Sequence, residues 1–373
     1  MTAVEEIIRA EIAASGPMRF DRFMEIALYH PGAGYYAKTI PVPIGREGDF
    51  YTSVSVGPLF GRLLARQFWQ MWQLLGKPTP FWIIEQGAHD GRLAVDILTW
   101  GRDEAPDFFE CARYGIVEGS VFPSAAQEFS SRLTTFGRLE ALRAVNLTGV
   151  FISNELVDAF PVRVIVCRDG QWRERCVEIA GDAFGWTECP LHDPELIRAI
   201  AVRQPPPIEG YTTEIHLRAE AWMTQAAYAL DRGYVVTIDY GYPAHEYYAP
   251  HRYEGTLCGY MRHHAMDDVL TEPGERDITA HADFTALASA GKDAGLATLG
   301  FVDQQRFLMG IAHDELSGAS GPRAGIAENT RAFQTLTHPE HLGVRFHALV
   351  QARNAPAPLD WLRFARGGLS QDL

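Results

Sequence analysis

The sequence predicts an α/β chain built on a doubly wound, mostly parallel, Rossmann-like sheet. Three observations carry this. Apolar runs without polar alternation recur and end in an acid: Phe81-Trp82-Ile83-Ile84-Glu85, Tyr114-Gly115-Ile116-Val117-Glu118, Val150-Phe151-Ile152-Ser153-Asn154-Glu155 and Tyr234-Val235-Val236-Thr237-Ile238-Asp239. Such runs suit strands with helices over both faces. Helical patterns stand between them, at Leu93, Val95, Ile97, Leu98 and again from His216 to Leu230. A glycine turn, Gly87 to Gly91, joins the first strand to its helix. Strand–helix alternation of this kind closes a parallel sheet.

The elements follow in order. Val4, Ile7, Ile8 and Ile12 mark an amphipathic first helix, and Phe20 to Leu28 a second apolar stretch. The second stops at Tyr29-His30-Pro31-Gly32, because proline disfavours helical geometry in the residue before it. A long loop rich in Gly, Pro and aromatics runs from Gly34 to Ser53 and reads either as a lid or as a packed arm. Pro58 opens a strong helix in which Phe60, Leu64, Phe68, Met71, Trp72 and Leu75 repeat at three and four, and Gly76 and Pro78 end it. Beyond the second strand, Val121 to Leu133 suits a helix. Val162 to Thr187 alternates around Asp169-Gly170, a hairpin turn. Pro205-Pro206-Pro207 is a stiff connector, a His- and Tyr-rich loop spans 242–283, and helix then strand signals resume from Phe284 to Phe301. The implied organisation is an N-terminal helical arm and lid loop (1–57), a main domain (58–310) with an insertion at about 162–230, and a C-terminal extension (311–373).

Of the 373 residues, 33 are Lys or Arg and 47 are Asp or Glu, a formal charge of −14. With no run of basic residues to set against this charge, no nucleic-acid partner is expected. No stretch approaches the length of a membrane span. The N-terminus, with Glu5 and Glu6, lacks the features of a secretory or transit peptide. The five Cys residues are scattered, without a CxxC pair, and read as buried thiols. These features together predict a cytoplasmic protein. The His residues (His245, His251, His263, His264, His281) lack tight ligand spacing, so no metal is expected.

Ligands of an open parallel sheet bind beyond the carboxyl ends of its strands. There the chain places Glu85 with the Gly87–Gly91 turn, Glu118, Asn154-Glu155 and Asp239-Tyr240-Gly241. The glycine turn admits a ligand close to the backbone and opens a helix N-terminus to an anionic group, or it is a plain strand–helix turn. Glu118 can accept both hydroxyls of a ribose, or it is a solvated acid. Glu155 and Asp158, three residues apart, share a face if a helical turn follows, and two converging carboxylates can hold a guanidinium or act as bases; the competing reading is a cap by Asn154 with acids in a first turn. Asp277, Thr279, His281 and Asp283 alternate, so in an extended segment they point one way. His281 is then a base or anchor, or a structural histidine with Asp283 capping the next helix.

Together these residues resemble the MidA-like class I S-adenosylmethionine-dependent methyltransferases, a family that includes the mitochondrial arginine methyltransferase acting in respiratory complex I assembly. The likeness covers about residues 15–310. It rests on Phe23-Met24 through Leu28-Tyr29-His30-Pro31, Gly34-Tyr35-Tyr36, Gly48-Asp49-Phe50-Tyr51-Thr52-Ser53, Ser153 to Pro161, Asp239-Tyr240-Gly241, Gly255-Thr256-Leu257 and Asp277-Ile278-Thr279-Ala280-His281. The resemblance implies a class I methyltransferase sheet and S-adenosyl-L-methionine as cofactor, bound by Glu85, Gly87, Gly91, Glu118 and Asn154. It implies Glu155 and Asp158 as catalytic residues holding a guanidinium and His281 as proton acceptor. Asp49, Thr52, Ser53, Tyr240 and Asp277 would shape the lid and the substrate channel. The expected partner is a protein presenting an arginine, and the expected assembly a homodimer. One position departs from the family's usual Gly-Pro-Gly-x-Gly turn: His89 replaces the middle glycine, where its side chain crowds the cofactor's methionine end or forces another backbone geometry. Two further readings stay open beside the arginine enzyme: an assembly factor that keeps the fold with weak or no catalysis, and a small-molecule O- or N-methyltransferase.

Overall fold

The computed structural model of the chain describes residues 2–37, 52–118, 124–261, 264–266, 268–357, 360–364 and 373. The chain divides into two compact units, each returning to the chain more than once. The sheet unit comprises Thr52–Leu156, Ala221–Gly241 and Leu287–Leu373; the second comprises Met1–Tyr51, Val157–Glu220 and Tyr242–Ala286.

The sheet unit is built on β1 (Phe81–Gln86), β2 (Ala112–Val117), β3 (Leu133–Phe136), β4 (Leu147–Asn154), β5 (Leu230–Tyr242), β6 (Ala297–Asp303) and β7 (Phe346–Arg353). Their order across the sheet is β3-β2-β1-β4-β5-β7-β6. Pairing is parallel from β3 through β5, and β7 runs antiparallel to both of its neighbours. The expected doubly wound, mostly parallel sheet is therefore present. Helices α1 (Leu59–Leu74), α2 (Arg92–Glu104), α3 (Leu217–Ala229) and α4 (Gln304–Leu316) belong to its layers. The α1 positions read from the periodicity, Phe60, Leu64, Phe68, Met71 and Trp72, all join one core with Ile83, Ile116, Val150, Ile152, Val236 and Ile238. Each such fully buried side chain contributes about 1.5–3 kcal/mol relative to exposure. On the other sheet face Trp222 of α3 meets Phe151 edge-on at 6.0 Å between ring centres and donates its indole N–H to Gln86 at 2.9 Å.

Several expectations change. Val121 to Leu133 is not a helix: residues 121–123 lie outside the described residues, Ser124–Phe129 forms a 3-10 turn, and Leu133 begins β3. The β-branched pair Thr134-Thr135 between Leu133 and Phe136 favours the strand. Residues 311–373 are not an appendage, because they supply β7, an inner strand of the sheet, and the fully buried Trp361. Residues 242–283 are not one loop: Ala244–Tyr247 is helical, and Cys258–Met261 pairs antiparallel with both His264–Met266 and Asp277–Thr279.

In the second unit the predicted hairpin is formed. Arg168 pairs with Gln171 across Asp169 (φ +51°) and Gly170 (φ +71°), the two left-handed residues that a tight hairpin turn requires. The N-terminal helices Ala3–Ser15 and Phe20–Tyr29 are not a separate arm. Ile8, Phe20, Phe23 and Met24 share one core with Val162, Val164, Val177 and Ile278, since neither segment can bury its apolar face alone. The boundaries expected at 57 and 310 differ from these units for that reason. All five cysteines are free thiols; Cys167 and Cys176 are buried, and the other three are half-buried rather than buried as expected. Among the described residues no helix is long and apolar enough to cross a membrane.

Candidate active site

The sheet register aligns the strand ends. Gln86 lies beside Val117 and Ser153, Ser153 beside Thr237, and Asn154 beside Ile238. The residues that follow, Gly87, Glu118, Glu155 and Asp239, therefore share the carboxyl rim of the sheet unit.

The β1–α2 turn is held in left-handed backbone at Gly87 (φ +81°), His89 (φ +47°) and Gly91 (φ +80°). At Gly87 a Cβ would also stand 3.1 Å from Leu156 Cδ1. His89 thus adopts a left-handed conformation that glycine takes freely, at a cost of about 1–2 kcal/mol. Its backbone N–H donates to Glu118 Oε1 at 3.0 Å. The Asp90 carboxylate accepts the Arg92 N–H at 3.1 Å and pairs with the Arg92 guanidinium at 2.8 Å. Burial raises the Glu118 carboxyl above its ordinary value, and the backbone N–H groups of His89 and Ala88 oppose the rise. Glu85 lies deeper, 3% exposed, and accepts the Tyr114 hydroxyl at 2.7 Å. Burial pushes its carboxyl up to about 8, with the Tyr114 hydrogen bond opposing and the charges of Glu118 and Asp90 adding.

Glu155 is the most constrained of the predicted residues. It follows β4 with φ +52°, an uncommon conformation for a side chain without local hydrogen-bonding reach. Its Oε1 accepts the Ser53 backbone N–H at 2.9 Å and the Asn154 side-chain amide at 3.0 Å. Its Oε2 is buried with no hydrogen-bond partner among the described residues, and so is Asn154 Oδ1. Burial pushes the Glu155 carboxyl up to about 8; the Ser53 and Asn154 bonds oppose this and the Asp239 charge adds to it. Asn154 spends its amide on Glu155 rather than on a helix cap. Of the other rim and lid candidates, Thr52 is buried and exchanges hydrogen bonds with Ser55, and Tyr240 packs on Phe346 at 3.9 Å between ring centres. Asp49 lies outside the described residues, as do the rest of Gly48–Tyr51 and His263.

Asp158, Asp277 and His281 belong to the second unit. A 3-10 turn, Val157–Ala159, carries Asp158, whose carbonyl accepts the Ala280 N–H at 2.8 Å. Asp277, 2% exposed, accepts the Tyr36 hydroxyl at 2.7 Å. Tyr36 stacks on Tyr29 at 5.5 Å between ring centres. The His281 backbone N–H donates to Thr256 Oγ1 at 3.0 Å, and its ring lies 5.1 Å from that of Tyr242. Asp283 caps the next helix, accepting the Ala286 N–H at 3.0 Å, which agrees with the alternative reading of that segment. Among the described residues no group of three or more His, Cys, Asp or Glu side chains is placed to hold a metal ion.

Sequence reasoning named Ser53 and missed Gln304 behind it. Ser53 Oγ donates to Gln304 Oε1 at 3.0 Å, and the fully buried Gln304 donates onward to the Leu336 carbonyl at 3.0 Å. Tyr114 was visible as an apolar strand residue, and nothing local marked its hydroxyl as the partner of Glu85.

The rim fits a nucleoside cofactor carrying an amino-acid tail. Glu118 is a carboxylate at the end of β2, and the Gly87–Gly91 turn brings the backbone to the surface. Comparison with known proteins agrees. Residues 63–302 match the model of a family described as "Putative S-adenosyl-L-methionine-dependent methyltransferase". A COG1565 superfamily member from Burkholderia thailandensis, crystallised bound to S-adenosyl-homocysteine, is 34% identical with a TM-score of 0.86, covering 100% of this chain and 96% of that one. The mitochondrial protein arginine methyltransferase NDUFAF7 homolog of Drosophila melanogaster is 28% identical over 92% of this chain and 83% of its own. Human mitochondrial protein arginine methyltransferase NDUFAF7 is 24% identical over 90% and 80%.

Proposed function

We propose, from the premise that this chain belongs to the MidA-like family of S-adenosylmethionine-dependent methyltransferases, that its methyl acceptor is the guanidinium of a protein arginine. The observation that carries the acceptor class is the buried Glu155 Oε2 and the neighbouring residue's buried Asn154 Oδ1 at the sheet rim, neither with a hydrogen-bond partner among the described residues. Two stranded acceptors are satisfied by a group that only donates, and guanidinium offers five N–H donors and no acceptor. The names of the mitochondrial relatives support the same class.

S-adenosylmethionine supplies, when bound, an electrophilic methyl on a sulfonium. In this reading Gly87 and Gly91 receive its amino-acid end, and Glu118 accepts the ribose hydroxyls in place of the His89 N–H. Glu155 orients the acceptor: Ser53 and Asn154 fix Oε1, which leaves Oε2 to take a guanidinium N–H. An arginine guanidinium is cationic at neutral pH and must shed a proton as its nitrogen is methylated. A carboxyl held near 8 is matched to that task, because a general base works best when its pKa lies near the operating pH. Acceptor positioning supplies most of the rate in such an in-line transfer. Asp158, Asp277 and the stacked pair of Tyr29 and Tyr36 are proposed to contribute to protein-substrate recognition.

The test is incubation of the protein with isotope-labelled S-adenosylmethionine and cell lysate, followed by digestion and mass spectrometry. Label on arginine side chains is expected. Label confined to small molecules would overturn the acceptor assignment.

A further inference from the structure

Resting on the role given to Glu155, we propose that Asp239 is its positioning residue: a fully buried carboxylate that ties the backbone leaving the strained Glu155 turn to the end of β5 and so aims Oε2 out of the sheet. The geometry is specific. Glu155 leaves β4 in the left-handed region, at φ +52°. Its own N–H is still in the sheet ladder, donating to the Ile238 carbonyl at 2.9 Å. The next N–H, that of Leu156, has turned out of the ladder and donates to Asp239 Oδ2 at 3.1 Å. Asp239 Oδ1 accepts the Tyr240 N–H at 2.8 Å, so the carboxylate bridges the outgoing chain of β4 and the end of β5. Asp239 has no exposed surface. A left-handed glutamate persists only where its surroundings over-determine it. Here consecutive β5 residues, Ile238 and Asp239, hold consecutive N–H groups across that one residue.

The clamp has an electrostatic side. The Asp239 carboxylate is a like charge that disfavours ionisation of Glu155, behind the larger effect of burial. Three described residues face this pair. Ser53 and Asn154 meet Glu155 and do not titrate. His347 on β7 stands opposite Asp239 in the register; burial, followed by the charge of Arg306 on α4, holds its imidazole down to about 4, so it is neutral through the range that matters.

The experiment uses the full chain and needs no methyl acceptor, so it fails separately from the arginine reading. The Asp239→Asn side chain offers one acceptor where two backbone N–H groups need one each. Hydrogen exchange at the Leu156 amide is read together with the titration midpoint of the Glu155 carboxyl, taken from infrared spectra of each protein minus its Glu155→Gln counterpart. Calorimetric binding of S-adenosylhomocysteine reports that the sheet rim is intact. The expected result is faster exchange at Leu156 and a midpoint lowered by on the order of one pH unit. Unchanged exchange and an unchanged midpoint, with S-adenosylhomocysteine still bound, would overturn the assignment. If Asp239→Asn does not fold, Asp239→Glu takes its place, because it keeps the charge and displaces the carboxylate. Leu156 exchange should then rise while the midpoint stays high, and protection equal to the native chain's would overturn the clamp.

Discussion

Replacing Glu155 by Gln isolates the energetic consequence of burying a carboxyl at the rim. The folded chain holds this carboxyl near 8 against an ordinary value of 4.5. The sign follows from linkage: between those values the folded state keeps a proton that the unfolded state has lost, so stability falls as pH rises through the window. The ceiling is the 3.5-unit difference at about 1.4 kcal/mol per unit, which is roughly 5 kcal/mol. Gln mimics the protonated acid and does not titrate. Ser53 and Asn154 can still donate to its carbonyl oxygen. The variant should match the native chain near pH 5 and exceed it by several kcal/mol near pH 8.5. Urea unfolding of both proteins at the two pH values measures this. Glu85 is also pushed to about 8 and titrates in both proteins, so the quantity read is the difference between them. Equal pH dependence in the two proteins would refute the buried-carboxyl reasoning. Transfer to arginine should be lost in the variant at every pH.

Three further outcomes are expected. Glu118→Ala should weaken S-adenosylhomocysteine binding by roughly 10- to 150-fold, the worth of about 1.5–3 kcal/mol of charged hydrogen bonding, and unchanged calorimetric affinity would remove its ribose role. Gly87→Ala forces a side chain into left-handed backbone 3.1 Å from Leu156 and should cost about 1–2 kcal/mol, read as a lowered Tm; a Tm equal to the native one would show that the turn is not held as described. Tyr114→Phe removes the 2.7 Å bond to Glu85 and should cost about 1–3 kcal/mol. Because that bond favours the ionised acid, the loss should be larger at pH 8.5 than at pH 6, and a pH-independent loss would contradict it.

The rim was legible because each of its parts is local. An apolar run ending in an acid announces a strand and its exit, and Asp169-Gly170 announces a hairpin whether or not its neighbours are known. What was not legible depends on pairing between distant segments. Phe346–Arg353, broken by His347 and Gln351 and ending in a base, is not read as a strand, and its place between β5 and β6 follows from packing and turns a supposed extension into part of the sheet. The Ser53–Gln304 bond joins residues 251 apart, and while Ser53 lies in a motif, nothing local marks Gln304 as its partner. The left-handed state of Glu155 was equally hidden, since nothing in Asn154-Glu155-Leu156 asks for it and β5 imposes it. His89 shows the converse: the sequence departs from the family's glycine, while the backbone takes a left-handed conformation open to glycine.

The measurement that bears most directly on the rim as the catalytic site is a crystal structure with S-adenosylhomocysteine bound. Both ribose hydroxyls are expected on Glu118, the amino-acid end over Gly87 to Gly91, and the sulfur directed toward Glu155 Oε2. A cofactor lodged away from the ends of β1, β2 and β4, or a His89 side chain occupying the amino-acid position, would contradict it.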